Sequence, residues 1–133
     1  MKSFLCDTNI ISELMRRKPH PKVRQWSRSI AEFSISVITV DEISFWLNQK
    51  KLLERIHWLE GFIDDECNVI SVDHAVASRA GQIRGQLASK GIFRSQPDML
   101  IAATAWVHDL TLATRNTRDF EGTGIALFNP FEG

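Results

Sequence analysis

The chain has 133 residues, of which 44% are hydrophobic and 24% are charged, and these ordinary values exclude disordered and collagen-like classes. No apolar run approaches the ~20 residues of a membrane span, and Asp7 interrupts the first apolar run before a signal peptide could form. We therefore expect one domain over residues 1–133, a cytoplasmic location and no membrane partner.

Five short apolar runs alternate with longer amphipathic segments, which is the pattern of βα units. Their β-branched and aromatic residues favour buried parallel strands. The predicted strands are residues 3–6, 33–38, 68–72, 111–114 and 125–128.

Helices are predicted between these strands. One follows Asp7, a second spans about 21–29, two fill 40–65 with a break near Lys50, one covers 73–89, one opens at Pro97, and a short turn covers 116–120. Right-handed crossovers would then give a three-layer α/β/α sandwich with a five-stranded parallel sheet. Ligands in such folds bind beyond the carboxyl ends of the strands.

Several acids follow predicted strands or open predicted helices. Asp7 ends the first strand, and its alternative role is as a helix N-cap. Glu42 follows the second strand, although Thr39 to Glu42 also matches a T-x-x-E capping box. Asp98 opens an apolar helix, where an acid also favours the helix dipole. Asn116 and Asp119 follow the fourth strand, and their alternative is a polar turn.

Together, these acids would meet at one edge of the sheet. Converging carboxylates repel one another unless a cation neutralises them. Oxygen ligands alone select hard ions, Mg²⁺ or Mn²⁺, rather than zinc. Such a site can activate water for attack on a phosphodiester.

Cys6 and Cys67 show no zinc spacing and are expected to be buried free thiols.

At this point the chain resembles PIN-domain ribonucleases, and more closely the VapC and FitB-like toxins of bacterial toxin–antitoxin pairs. The resemblance is carried by LCDTNIISEL (5–14), TVDEI (39–43), PDMLIAATA (97–105), LATRNTRDFEGTGI (112–125) and FNPF (128–131). It implies Mg²⁺- or Mn²⁺-dependent endonucleolytic cleavage of RNA, with transfer RNA among the expected substrates, leaving a 5′-phosphate and a 3′-hydroxyl.

The same resemblance implies roles for individual residues. Asp7 and Asp98 match the principal metal-binding acids and Glu42 the third, while the supporting polar residues are Thr8, Asn9 and Thr114. Many family members have a fourth acid where this chain has Asn116, with Asp119 one turn later. An amide adds no charge, so a second metal would be held more weakly.

Partners are also implied by the resemblance. Helices over 43–63 would form a groove for a VapB-type antitoxin, whose arginine often enters the acidic pocket. The toxin is expected to form a homodimer, and a heterotetramer or larger assembly with the antitoxin. DNA would be contacted only through the antitoxin.

Basic residues could contact the RNA backbone. Residues 1–30 hold seven Lys/Arg and two acids, and a solvated surface is the equally weighted alternative for this segment. The candidates are Arg16, Arg17, Lys18, Lys22 and Arg24, with Arg115 and Arg118 nearer the acids.

Trp46 and Trp106 lie in apolar helical stretches and are expected in the core.

Two other functions fit parts of the sequence. A catalytically weak interaction module in a DNA-binding complex is supported only by Asn116 in place of the fourth acid. A phosphoryl-transfer protein with Asp7 as the nucleophile is disfavoured, because no D-x-D motif includes Asp7 and no lysine follows the fourth strand.

Overall fold

A computed structural model describes residues 3–133. The strands are β1 (Phe4–Cys6), β2 (Phe33–Ser36), β3 (Cys67–Ile70), β4 (Thr111–Ala113) and β5 (Leu127–Phe128). The helices are α1 (Thr8–Leu14), α2 (Pro21–Arg28), α3 (Val37–Gln49), α4 (Leu53–Glu66), α5 (His74–Ser89) and α6 (Gln96–Val107), and a 3₁₀ turn covers Thr117–Phe120. No helix within residues 3–133 is long and apolar enough to cross a membrane.

The sheet has the order β3-β2-β1-β4-β5, and every neighbouring pair is parallel. The predicted α/β fold class is therefore confirmed. The chain moves outward from β1 through β2 to β3 and then returns to the other side of β1. This reversal places the topological switch point between β1 and β4, where ligands of open α/β sheets bind.

The register of β1 and β4 brings two polar residues to that point. Cys6 pairs with Ala113, so Asp7 and Thr114 are the next residues of the two strands. The backbone N–H of Asp7 donates to the carbonyl of Ala113 at 2.9 Å. Both polar side chains therefore leave the same edge of the sheet side by side.

Alternate side chains of β1 enter different halves of the core. Cys6 packs with residues of α1, α3 and α4, whereas Leu5 packs with residues of α5 and α6. Helix α6 is buried on almost all sides between Met99 and Ala105, as its apolar sequence predicts. The sheet is thus covered on both faces, and only its edges and ends remain open.

Several predicted boundaries were wrong. β2 ends at Ser36 rather than at residue 38, because the hydroxyl of Ser36 accepts from the N–H of Ile38 at 3.0 Å and caps α3. β3 ends at Ile70 rather than at residue 72, and β5 covers only two residues. Cys6 is buried, but Cys67 is only half-buried.

Trp106 was predicted in the core and is 44% exposed. It lies at the end of α6, where the guanidinium of Arg79 stacks over its ring at 4.6 Å. Trp46 is partly buried and packs against the core. Apolar neighbours in sequence did not distinguish the two, because α6 leaves the core at its last turn.

Candidate functional site

Asp7 both caps α1 and faces the switch point. Its Oδ1 accepts from the N–H of Thr8 at 2.8 Å, and its Oδ2 accepts from the hydroxyl of Thr114 at 2.8 Å. The amide Nδ2 of Asn9 also donates to Oδ2 at 3.2 Å. The side chain is therefore held on three sides while its residue is only 5% exposed. The two roles considered for Asp7 are compatible.

The pKa of Asp7 is raised from its ordinary value of 3.8 to about 6. Burial is the largest cause, and the negative charges of Asp98 and Glu42 add to it. The hydrogen bonds from Thr114 and Thr8 act in the opposite direction. The carboxyl groups of Asp98 and Glu42, which come from separate helices, are thus close enough to disfavour the ionisation of Asp7.

Glu42 is fixed by a contact with α1, not by a capping box. The alternative capping role is wrong, because α3 begins at Val37 and Thr39 is already inside the helix. Instead, the hydroxyl of Thr8 donates to Oε1 of Glu42 at 2.8 Å and lies 3.1 Å from the hydroxyl of Thr39. Glu42 is therefore directed toward the start of α1.

Asp98 lies in the first turn of α6, as predicted. The hydroxyl of Ser95 accepts from the N–H of Asp98 at 3.2 Å and caps the helix. Burial raises the pKa of Asp98, and the nearby charge of Asp119 raises it further, whereas Ser95 and Arg94 oppose the change. Since Ser95 supplies the cap, the carboxylate of Asp98 is free to act in the cavity.

Thr114 and Asn9 connect Asp7 to the loop after β4. The hydroxyl of Thr114 accepts from the N–H of Asn116 at 3.0 Å, while Asn9 Oδ1 accepts from the N–H of Arg115 at 3.1 Å. Asn9 Nδ2 also lies 3.3 Å from Thr114 Oγ1. The predicted supporting residues therefore form one hydrogen-bonded group around Asp7.

Asn116 and Asp119 lie on the more exposed side of the site. Asn116 precedes the 3₁₀ turn and makes no side-chain capping bond to it. Its carbonyl accepts from the N–H of Asp119 at 3.1 Å. The polar-turn alternative is thus correct for the backbone, and both side chains still line the cavity described next.

One cavity of about 650 Å³, which we call the acidic cavity, brings the predicted acids together. It is lined by all five residues proposed as catalytic, namely Asp7, Glu42, Asp98, Asn116 and Asp119. Of the predicted basic residues, only Arg16 and Arg115 line it. The others do not reach it: Arg17, Lys18, Lys22, Arg24 and Arg118.

Further residues of this cavity escaped sequence reasoning. These are Ser12, Glu13, Trp46, Arg55 and Phe131. For Ser12 and Glu13 a signal existed, because they follow Asn9 at helical spacing and so share its face of α1. For Phe131 the only signal was its place in the FNPF run (128–131) that carries the family resemblance. For Arg55 there was none, since α4 reaches the cavity only through tertiary folding.

The donor set suits a hard divalent cation. All the acids of the cavity offer oxygen, and a bound cation would offset both the burial of the Asp7 carboxylate, which is the main cause of its raised pKa, and the added charges of Asp98 and Glu42. Within residues 3–133, no group of three or more His, Cys, Asp or Glu side chains is close enough together to hold a metal ion. Mg²⁺ usually keeps several water ligands and is bound through only one or two carboxylates.

Comparison with known proteins identifies the family. Residues 4–125 match the PIN domain family, and the chain therefore belongs to it. Toxin FitB of Neisseria gonorrhoeae is 37% identical over 139 aligned positions, covering 96% of this chain and 98% of FitB. The tRNA(fMet)-specific endonuclease VapC of Shigella flexneri is 32% identical, covering 93% of this chain and 94% of that protein.

Solved structures agree with this assignment. The crystal structure of FitAcB from Neisseria gonorrhoeae matches with a TM-score of 0.85 at 31% identity, covering 98% of this chain and 99% of the other. The DNA-bound VapBC of Salmonella typhimurium matches with a TM-score of 0.86 at 30% identity, with the same two coverages. The predicted resemblance to VapC and FitB-like proteins is confirmed.

Proposed function

We propose that this protein is a metal-dependent endoribonuclease that acts in the cytoplasm as the toxin of a VapBC-type pair. The observation that carries the proposal is the convergence of Asp7, Glu42, Asp98 and Asp119 on one cavity at the switch point of the sheet. The names of its relatives support the same activity, since they include a tRNA-specific endonuclease and VapC ribonucleases.

Asp7, Asp98 and Glu42 would hold Mg²⁺ or Mn²⁺. Such an ion, when bound, lowers the pKa of a water molecule and offsets charge on phosphate oxygens. The protein's own contribution is orientation: Thr114, Asn9 and the N–H of Thr8 fix the carboxylate of Asp7, and Thr8 fixes Glu42. Asn116 and Asp119 would complete the oxygen-lined wall on the exposed side.

An antitoxin is the proposed protein partner. Two large apolar side chains of α3 and α4 are mostly exposed, Phe45 at 66% and Leu53 at 68%. Both lie in the segment 43–63, which the family resemblance predicts to form the antitoxin groove. The structural relatives include the FitAB and VapBC complexes, some bound to DNA. We propose a homodimeric toxin that contacts DNA only through this partner.

The decisive experiment is cleavage of a mixed cellular RNA pool by purified protein free of antitoxin. Reactions would contain Mg²⁺, Mn²⁺ or EDTA, beside an Asp98→Asn variant shown to be folded by circular dichroism. Discrete cuts that need metal and vanish in the variant support the proposal. Cutting that survives EDTA would contradict it, and a folded protein that binds its partner without cutting RNA would be an interaction module.

A further inference from the structure

Arg115 stands at the junction of two cavities. It lines the acidic cavity and also a second cavity of about 340 Å³, which we call the side cavity. The side cavity is lined by Arg115, Asn116, Thr117, Arg118, Asp119, Asn129 and Glu132. Asn116 and Asp119 are likewise common to both cavities, so the two are adjacent along the 3₁₀ turn.

Arg115 is held in place from both ends. Its backbone N–H donates to Asn9 Oδ1 at 3.1 Å, and its guanidinium lies over the ring of Phe131 at 4.6 Å. The ring of Phe131 in turn packs edge-on against His20 at 5.3 Å. A charged side chain stacked in this way loses less freedom on binding a ligand than a free one.

The charge of Arg115 is not neutralised by a carboxylate. Within residues 3–133 it forms no salt bridge, whereas Arg16 pairs with Glu13 at 3.2 Å. Arg118 lines the same side cavity. Lys22 brings a third cation to its rim, because its Nζ donates to the carbonyl of Glu132 at 3.3 Å. Arginine, threonine and asparagine side chains are the groups that bind nucleic-acid phosphates.

We propose that Arg115, positioned by Phe131, binds the RNA phosphate next to the one that is cleaved. The RNA strand leaves the acidic cavity through the side cavity, where Arg118 meets the following backbone. This inference rests on the proposed nuclease function, since it assigns the RNA a path through the same site. It separates Arg115 and Arg118 from the predicted basic residues that line neither cavity.

Binding of a short, fluorescently labelled single-stranded RNA of mixed sequence, measured by anisotropy in EDTA, tests the proposal without catalysis. Arg115→Ala should raise Kd about tenfold and reduce the slope of log Kd against log salt by about 0.7, the value for one phosphate contact on a single strand. Phe131→Leu keeps an apolar side chain but removes the ring face. It should raise Kd about two- to fivefold with the salt slope retained.

A matched control exists in the same chain. The guanidinium of Arg79 also lies 4.6 Å from an aromatic ring, that of Trp106, but it lines neither cavity of the proposed path. Arg79→Ala should bind RNA as the wild type does. Thermal melting of every variant shows whether a loss of RNA affinity reflects unfolding. Equal losses of RNA affinity in Arg79→Ala and Arg115→Ala would mean a diffuse electrostatic effect and would overturn the proposal.

The path through the side cavity has its own test. Asn129 Oδ1 accepts from the N–H of Phe131 at 2.9 Å, and its Nδ2 donates to the carbonyl of Arg115 at 3.5 Å. Asn129→Asp preserves the acceptor, removes the long bond to Arg115 and adds a negative charge to the cavity. We expect weaker RNA binding, and wild-type affinity would overturn the path. If RNA binding follows these expectations but the protein shows no metal-dependent cleavage, the RNA path is supported and the proposed nuclease function is contradicted. Unchanged RNA binding with weakened antitoxin binding would assign the cavity to the partner.

Discussion

The hydroxyl of Thr114 donates to Oδ2 of Asp7 at 2.8 Å, a buried bond between residues 107 positions apart. It joins the ends of β1 and β4 across the switch point. Thr114 is fully buried. This bond favours the ionised form of Asp7 against the burial that disfavours it.

Thr114→Val should therefore raise the pKa of Asp7 above its value of about 6. In the proposed nuclease, the rising limb of the pH–activity profile would move to higher pH, and cleavage near pH 7 would fall about tenfold. Rates across a pH series measure this change. Thr104→Val is the control, because Thr104 is equally buried but bonds only to the carbonyl of Leu100 within α6. A profile that does not move would show that Thr114 is only a packing residue.

The ionisation of Asp7 should also cost stability. Because its folded pKa of about 6 lies above the ordinary 3.8, the folded protein holds a proton between these values that the unfolded chain has lost. The free energy of unfolding therefore falls as pH rises through this window, by about 3 kcal/mol from this group alone.

Asp7→Asn should remove that fall. Urea unfolding between pH 4 and pH 7 compares it with the wild type and with Asp41→Asn, which changes an exposed acid of α3. At pH 7 we expect Asp7→Asn to be the more stable protein, by up to about 3 kcal/mol. Added Mg²⁺ should raise the melting temperature of the wild type but not that of Asp7→Asn. Parallel pH curves for all three proteins would contradict the assignment.

Much of this site was predictable because its signals are local. Asp7 ends an apolar run and precedes two polar residues, and Asp98 opens an apolar helix, so strand order alone brings them together. The parallel sheet follows from the same alternation of short apolar runs and amphipathic segments. These features depend on periodicity and on strand ends, which a sequence displays directly.

Other features depend on contacts between distant segments. The T-x-x-E pattern at Glu42 suggested a cap, yet Ser36 starts α3 earlier and Glu42 turns to Thr8 instead. Phe131 enters the site only because the C-terminal segment folds back to Arg115. Local propensity cannot choose between two adjacent caps, nor place a side chain that comes from the far end of the chain.

The bond from Thr8 to Glu42 gives a further prediction. Thr8→Val removes the hydroxyl that holds Oε1 of Glu42, so that carboxylate loses its fixed direction. Loss of a residue that orients a metal ligand costs about 10- to 100-fold in metal affinity or activity. Mg²⁺ titration followed by RNA cleavage measures both quantities. Thr8→Ser keeps the hydroxyl and should restore most of the activity, whereas equal loss in both variants would indicate that the methyl group matters instead.

Glu13 also lines the acidic cavity, but unlike the proposed metal ligands its carboxylate is already engaged by contacts within the protein. It is 6% exposed, accepts from the N–H of His20 at 2.8 Å, and pairs with Arg16 at 3.2 Å. It thus ties α1 to the start of α2, which His20 caps. We therefore assign it to the fold rather than to the metal.

Glu13→Ala should destabilise the protein by about 1–3 kcal/mol, because the N–H of His20 loses its buried acceptor. Glu13→Gln keeps a carbonyl oxygen for that N–H and should lose less. Urea unfolding gives both values, and the Mg²⁺-induced rise in melting temperature reports metal binding in the folded variants. That rise should persist in Glu13→Gln, since Asp7, Glu42 and Asp98 are intact. If Mg²⁺ no longer raised the melting temperature of Glu13→Gln, Glu13 would be a metal ligand, because this variant removes only the negative charge of the side chain.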